Sequence, residues 1–228
     1  IMIERFRQIG TARISLVDVR DRVLYNPELR SRFFMVPAIL ALLLMITTAM
    51  LTALAVVKEK EIGTMEQLIV TPVRSWQIIL GKLLPFTFIG LIDVLIVTAV
   101  AVLWFEVPLN GSFWLLLLLS MVFLLTTLGL GLLVSTLSRT QQQAMLTLMF
   151  FVLLPFMYLS GFIFPIENMP RVFQIVTYAV PLRYYLIIVR GIFLKGVGIE
   201  TLWPDTLALA GIGLAILSVA ILRFRKHI

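Results

Sequence analysis

The chain has 228 residues, 61% of them hydrophobic and only 14% charged, and its mean hydropathy is +1.05. Soluble domains carry about 45–50% apolar and about 25% charged residues, and a chain of this size has too little core to hide the excess. This composition excludes a disordered chain, a nucleic-acid-binding domain and a secreted disulfide scaffold, and the lack of cysteine removes thiol nucleophiles and Cys-ligated zinc. The solvent must be a bilayer. Lipid offers no water to bare amides, so spanning parts are helices or closed barrels, and the long apolar runs here select helices. The +7 net charge and pI near 10.1 then read as basic residues at membrane surfaces.

Residues 1–32 carry 11 of the 31 charged residues and hold no apolar run long enough for a span. The loose alternation of Ile14, Leu16 and Val19 with Arg13, Asp18 and Arg20 predicts a strand or two, ending at the turn signal Tyr25-Asn26-Pro27. Residues 33–57 are 25 residues without a charge. Such a helix is about 37 Å long, enough for a hydrocarbon core of about 30 Å, and Pro37 lies near its entrance, where a missing N–H does least harm. Residues 83–105 form the second predicted span, interrupted by Asp93, and 113–138 the third, closed by the polar cluster Arg139-Thr140-Gln141-Gln142-Gln143. Pro108 and Asn110-Gly111 join these two as a tight hairpin. Residues 144–166 form the fourth, helical only in part because Pro155, Gly161 and Pro165 fall in its second half, and 205–222 form the fifth, followed by Arg223, Arg225, Lys226 and the sole histidine, His227. Residues 167–204 contain charge-free runs too short to cross, which predicts an interfacial or re-entrant helical hairpin. The expected fold is an all-α polytopic membrane protein with five spans and termini on opposite sides. Lysine and arginine counts do not orient it: one face receives eight and the other eleven.

Residues 58–82, between the first two spans, are far longer than a helical hairpin needs, and long ordered connections tend to be functional. Ile62, Met65 and Ile69, with Leu68 beside them, fall at helical spacing against a face with Glu59, Glu66 and Gln67, which predicts a short amphipathic helix lying flat at the surface. Thr64 and Gln67 fit a capping box, Pro72 stops the helix, and Trp76 is a headgroup-level residue type.

The string Lys58-Glu59-Lys60-Glu61-Ile62-Gly63-Thr64-Met65-Glu66-Gln67-Leu68, followed by Thr71-Pro72 and Gly81-Lys82, resembles the signature of the permease subunits of ABC-2-type transporters. Leu159-Ser160-Gly161-Phe162-Ile163-Phe164-Pro165 with Met169-Pro170, Tyr178-Ala179-Val180-Pro181-Leu182 and Arg190-Gly191-Ile192-Phe193-Leu194-Lys195-Gly196 are similar to a later region of the same family. The resemblance runs from about Tyr25 to the C-terminus. It implies that residues 58–82 are a cytoplasmic coupling helix docking on a separate ABC ATPase, with Glu59, Glu61 and Glu66 facing basic residues of that partner and Ile62, Met65 and Leu68 filling its groove. It also implies two permease subunits framing one path, as a homo- or heterodimer in the bacterial inner membrane, exporting drugs or other amphipathic cargo, with a periplasmic adaptor as a further expected partner. ATP and magnesium belong to the ATPase, and this chain binds no cofactor or metal. Such permeases usually have six spans, so a first helix and most of an external domain are expected to precede residues 1–32, its C-terminal tail, while 33–228 form the permease domain.

Several residues carry two readings. Asp93 sits mid-span, where a carboxylate costs at least about 2.5 kcal/mol. It either lines the cargo path or relays a proton, or it hydrogen-bonds a hydroxyl of a neighbouring helix. In the external hairpin Gly161, Pro165, Glu167, Pro170, Pro181, Arg190 and Gly191 break and anchor a cap over the path. Catalysis is not expected: no lysine is followed by Ser or Thr, which rules out a phosphate-binding loop, Asp93 has no second intramembrane acid, and no histidine lies in a span. The alternative is a proton- or ion-coupled secondary transporter using Asp93, but the chain shows no internal repeat with matching broken helices.

Overall fold

The structure, a computed structural model, describes residues 31–63 and 75–226. The tail 1–30, the coupling-segment residues 64–74 and His227 lie outside the described residues, so the expected strands and the expected short amphipathic helix do too. Among the described residues there is helix and no strand. Among the same residues, five helical stretches are long and apolar enough to cross a membrane.

Helix α1 (Ser31–Ile62) contains the charge-free run and continues beyond it to Gly63, whose φ of +79° ends the helix. Helix α2 (Ser75–Leu103) begins eight residues before the expected span and stops two residues short of its expected end. Helix α3 (Phe113–Leu137) matches expectation; Ser112 caps it by accepting a hydrogen bond from the Leu115 N–H at 3.5 Å. The fourth span is Gln141–Leu159, three residues earlier at its start than expected and seven shorter at its end. It consists of α4 (Gln141–Thr147), a π-helical turn over Leu148–Leu153, and α5 (Leu154–Leu159). Pro155 explains the widened turn: in a regular α-helix its ring would meet the carbonyl of Phe151, and a wider turn relieves that clash. Gly161, at φ +82°, then turns the chain out of the span.

A short 3-10 turn (Ile166–Asn168) leads to α6 (Arg171–Thr177) and α7 (Pro181–Arg190), which continues as a π-helical turn over Gly191–Lys195. The segments Arg171–Thr177 and Pro181–Lys195 are bent by 80°. Helix α8 (Ile199–Lys226) starts six residues before the expected span, so the hairpin ends sooner than 204; Pro204 sits in its second turn and forgoes the hydrogen bond that an N–H there would give the Glu200 carbonyl.

Helix α3 is the axis of the bundle. Two-thirds (67%) of its apolar window is buried, against 22% for α2, 11% for the fourth span and 17% for α8, which turn most of their surface outward. Small residues let neighbours close on it: a Cβ at Gly131 would press into the Ala49 carbonyl oxygen of α1 and lie 2.9 Å from Thr52 Cβ. Gly129 does the same for α8, meeting Leu217 Cα at 3.3 Å. Hydroxyls supply polar glue along the same seam. Thr48 and Thr127 lie within 2.7 Å of each other through their Oγ1 atoms, both fully buried.

Helix α7 does not rest on the surface; it enters the bundle. Val180, Leu182, Tyr185, Leu186, Ile188 and Val189 are buried in the main apolar core together with Phe123 of α3. The end of this hairpin closes on the α2–α3 loop, where the N–H groups of Asn110 and Gly111 donate to the carbonyls of Phe193 and Ile192 at 3.1 and 3.0 Å. The hairpin is therefore re-entrant from the end of the bundle that holds residues 106–112.

Candidate functional site

The opposite end, called the base here, gathers one terminus of each of the five spans. The resemblance places a coupling segment there. Helix α1 projects five residues past its charge-free run, and three of them bind residues of other helices. Glu59, half-buried, forms an ion pair with Lys82 of α2. Lys60 donates to the Ser135 carbonyl near the end of α3. Glu61 accepts from the backbone N–H of Gln141 at 2.9 Å and from its side-chain amide, which places a carboxylate on the first residue of the fourth span. The turn between α3 and α4 is itself locally fixed: Thr140 Oγ1 accepts from the Gln143 N–H at 3.2 Å, and Gln143 Oε1 accepts from the Arg139 N–H at 2.9 Å.

Of the coupling residues named from sequence, Glu59 and Glu61 are thus engaged within the chain. Ile62 is 64% exposed at the end of α1, and Gly63 supplies the left-handed turn that follows. Thr64, Met65, Glu66, Gln67 and Leu68 lie outside the described residues. The expectation that Glu59, Ile62 and Leu68 share one short surface helix does not hold for its first members, because Glu59, Glu61 and Ile62 complete α1. The span did not stop at its last apolar residue, since Lys58–Ile62 has no helix breaker before Gly63. Sequence reasoning missed Lys60, Lys82 and Gln141 as site residues. The only signal for Gln141 was its place behind Thr140 in a cap pattern.

Within the bundle, Asp93 is half-buried on α2, and its Oδ2 is buried without a hydrogen-bond partner. The hydroxyl expected from a neighbouring helix does not meet that oxygen. The full polar contact of the interior lies elsewhere: Tyr185 of α7 is completely buried, its ring stacks on Phe123 at 4.0 Å with 9° between the planes, and its hydroxyl lies 2.7 Å from Ser120 Oγ. Because Ser120 directs its own proton to the Leu116 carbonyl at 2.7 Å, Tyr185 donates in that pair.

At the far end the hairpin residues take separate positions. Arg190, the last residue of α7, lies 3.6 Å over the Phe34 ring and donates to the Gly161 carbonyl at 3.3 Å, so it joins the hairpin's exit to its entry. Gly191 begins the π-helical turn, Pro181 opens α7, Pro170 precedes α6, and Pro165 precedes the 3-10 turn. Glu167 is exposed. Arg183 of α7 stacks 4.0 Å over Tyr178 and donates to Thr177.

With this geometry in hand, comparison with known proteins decides the family. The model of the family described as "ABC-2 type transporter" matches residues 10–194. The chain belongs to the ABC-2 type transporter family. It is 40% identical over 181 residues to a protein named probable multidrug ABC transporter permease YbhS of Escherichia coli (strain K12), covering 79% of this chain and 48% of that one. The probable multidrug ABC transporter permease YbhR of the same strain is 34% identical over 204 residues, 90% of this chain and 55% of that one. The inner membrane transport permease YhhJ, also from that strain, is 34% identical over 220 residues, 93% of this chain and 57% of that one. The chain spans about half the length of these curated relatives.

Proposed function

We propose that this chain is the membrane-spanning part of a permease subunit of an ATP-driven exporter, working as a pair of subunits that frame one path through the bacterial inner membrane. The observation that carries this reading is the family match over residues 10–194, joined to a base where α1 grips α2, α3 and the fourth span next to residues 64–74. A separate ABC ATPase binds at that base and supplies ATP, magnesium and hydrolysis. The cargo is amphipathic, in keeping with the names of the relatives, which call them multidrug permeases. The exposed apolar surfaces of α2 and α8 suit lipid, and a periplasmic adaptor protein could complete the outward route.

Mechanically, an ATPase moves a membrane helix only if the helix end is seated in it. Residues 58–82 join two spans directly and, through Lys60 and Glu61, touch two more. The test is efflux from inside-out vesicles carrying the full subunit and its ATPase. Transport should follow ATP and persist when the proton gradient is collapsed. Charge reversal at Glu66 should weaken co-purification of the ATPase. Transport that tracks the proton gradient without ATP would defeat the proposal.

A further inference from the structure

Resting on the reading above, we infer that Glu61 is a positioning residue which bolts the start of the coupling segment to the foot of the fourth span, so that a displacement of the segment is delivered to α4 and taken up at the π-helical turn above it. Three observations converge on this. First, Glu61, though exposed, is engaged within the chain: its carboxylate oxygens accept both from the Gln141 backbone N–H at 2.9 Å and from the Gln141 side-chain amide. Second, Gln141 is the first residue of α4, and the N-terminus of a helix has unpaired N–H groups that a carboxylate satisfies with charge-assisted bonds, so the grip is on the helix backbone itself. Third, the fourth span is continuous only as far as Thr147, after which Leu148–Leu153 forms the π-helical turn and Pro155 follows.

A π-helical turn holds one residue more than the α-helix it replaces, and Pro155 cannot donate the hydrogen bond that would stiffen it. The span is thus two rigid pieces with a softer joint between them, and the lower piece is the one tied to α1. That lower piece also packs on α1 through Ala144, its one buried residue, which meets Ala49, Ala53 and Val57 of α1 and Val134 of α3. A push on Gly63 moves Glu61, and Glu61 moves Gln141. The fourth span is then driven without the ATPase having to touch it. Glu59, paired with Lys82, sends the same displacement to α2.

These 228 residues hold no cysteine, so once any cysteines elsewhere in the complex are replaced, labels can be placed in them singly. Spin labels at Gln142→Cys and Leu103→Cys, both exposed positions, report the distance from the foot of the fourth span to the far end of α2 in the full permease–ATPase complex. ATP trapping should change that distance in the otherwise unaltered protein. In Glu61→Ala the change should vanish, and ATP-driven transport should fall by about tenfold, within the usual range of coupling between sites, while the ATPase still co-purifies. The exchange Glu61→Gln with Gln141→Glu keeps one acceptor for the backbone N–H and reverses the side-chain pair, so it should restore both readouts. The inference is overturned if Glu61→Ala transports normally or keeps the distance change. It is equally overturned if that variant loses the ATPase, which would make Glu61 a docking contact, or if the exchange variant co-purifies with the ATPase and yet fails to recover. The reading on which it rests fails separately, by the unaltered subunit not retaining an ATPase.

Discussion

The re-entry of α7 rests on Tyr185, and the structure separates the contribution of its ring from that of its hydroxyl. In Tyr185→Phe, Ser120 keeps its bond to the Leu116 carbonyl, so no buried polar atom is orphaned and only one interhelical hydrogen bond is lost. Such bonds inside membranes are worth about 0.6 kcal/mol on average and at most about 1.7 kcal/mol. In Tyr185→Ala the ring goes too. Lipid tails are as apolar as the core, so the transfer part of a usual aromatic-to-alanine loss is absent, and what remains is void and packing. A void of roughly 100 Å3 at about 24 cal/mol per Å3 gives about 2.4 kcal/mol. Losing the stacked pair with Phe123 adds about 0.5–1.5 kcal/mol. The expected loss is therefore about 3–4 kcal/mol, several times that of Tyr185→Phe. Reversible unfolding in bicelles measures both values, and protection of a Val180→Cys thiol from a water-soluble reagent reports whether α7 stays inserted. Tyr185→Phe should leave Val180→Cys protected; Tyr185→Ala should expose it. If the phenylalanine variant lost as much as the alanine variant, the hydroxyl and not the stack would hold the hairpin, and the packing argument would be wrong.

Gly131→Val should separate α1 from α3, because the Ala49 carbonyl and Thr52 Cβ occupy the space its side chain needs; a large loss of stability is expected, with Gly211→Val, in open space, as the neutral control. Asp93→Leu should stabilise the bundle by about 2.5–3.5 kcal/mol, since one carboxylate oxygen is buried without a partner; unfolding that shows a loss instead would reveal a bond that the structure lacks. Gly161→Ala should be destabilising by about 1–2 kcal/mol, because its φ of +82° is strained for any Cβ and Ile166 crowds it at 3.2 Å. Glu59→Ala should change stability by at most about 1 kcal/mol, as its pair with Lys82 is partly exposed, with thermal unfolding as the readout.

The five crossings were legible because each is an apolar stretch of about the bilayer's thickness, and lipid leaves the backbone no alternative to helix. The same reasoning misjudged helix ends, and for one cause: charge marks where a helix leaves the hydrocarbon, whereas only a breaker or cap marks where it stops. Helix α1 runs on to Gly63, α2 starts at Ser75 and α8 at Ile199, all outside their apolar windows. The residue types of the base were also legible, but not their pairing. Glu59 and Glu61 look alike in sequence, yet one meets Lys82, 23 residues on, and the other Gln141, 80 residues on.

What the linear chain settled was the solvent, the helical character, the number of crossings and the family, because these follow from composition and local motif. What required the third dimension was which helix is central, that the hairpin plunges into the core instead of lying on it, and that Glu59 and Glu61 at the base bind the chain itself. Those depend on contacts between residues far apart in sequence. A helix in lipid gains little from hydrophobicity when choosing a neighbour; close glycines, facing hydroxyls and one stacked ring make the choice, and their encounter is decided only when the spans assemble.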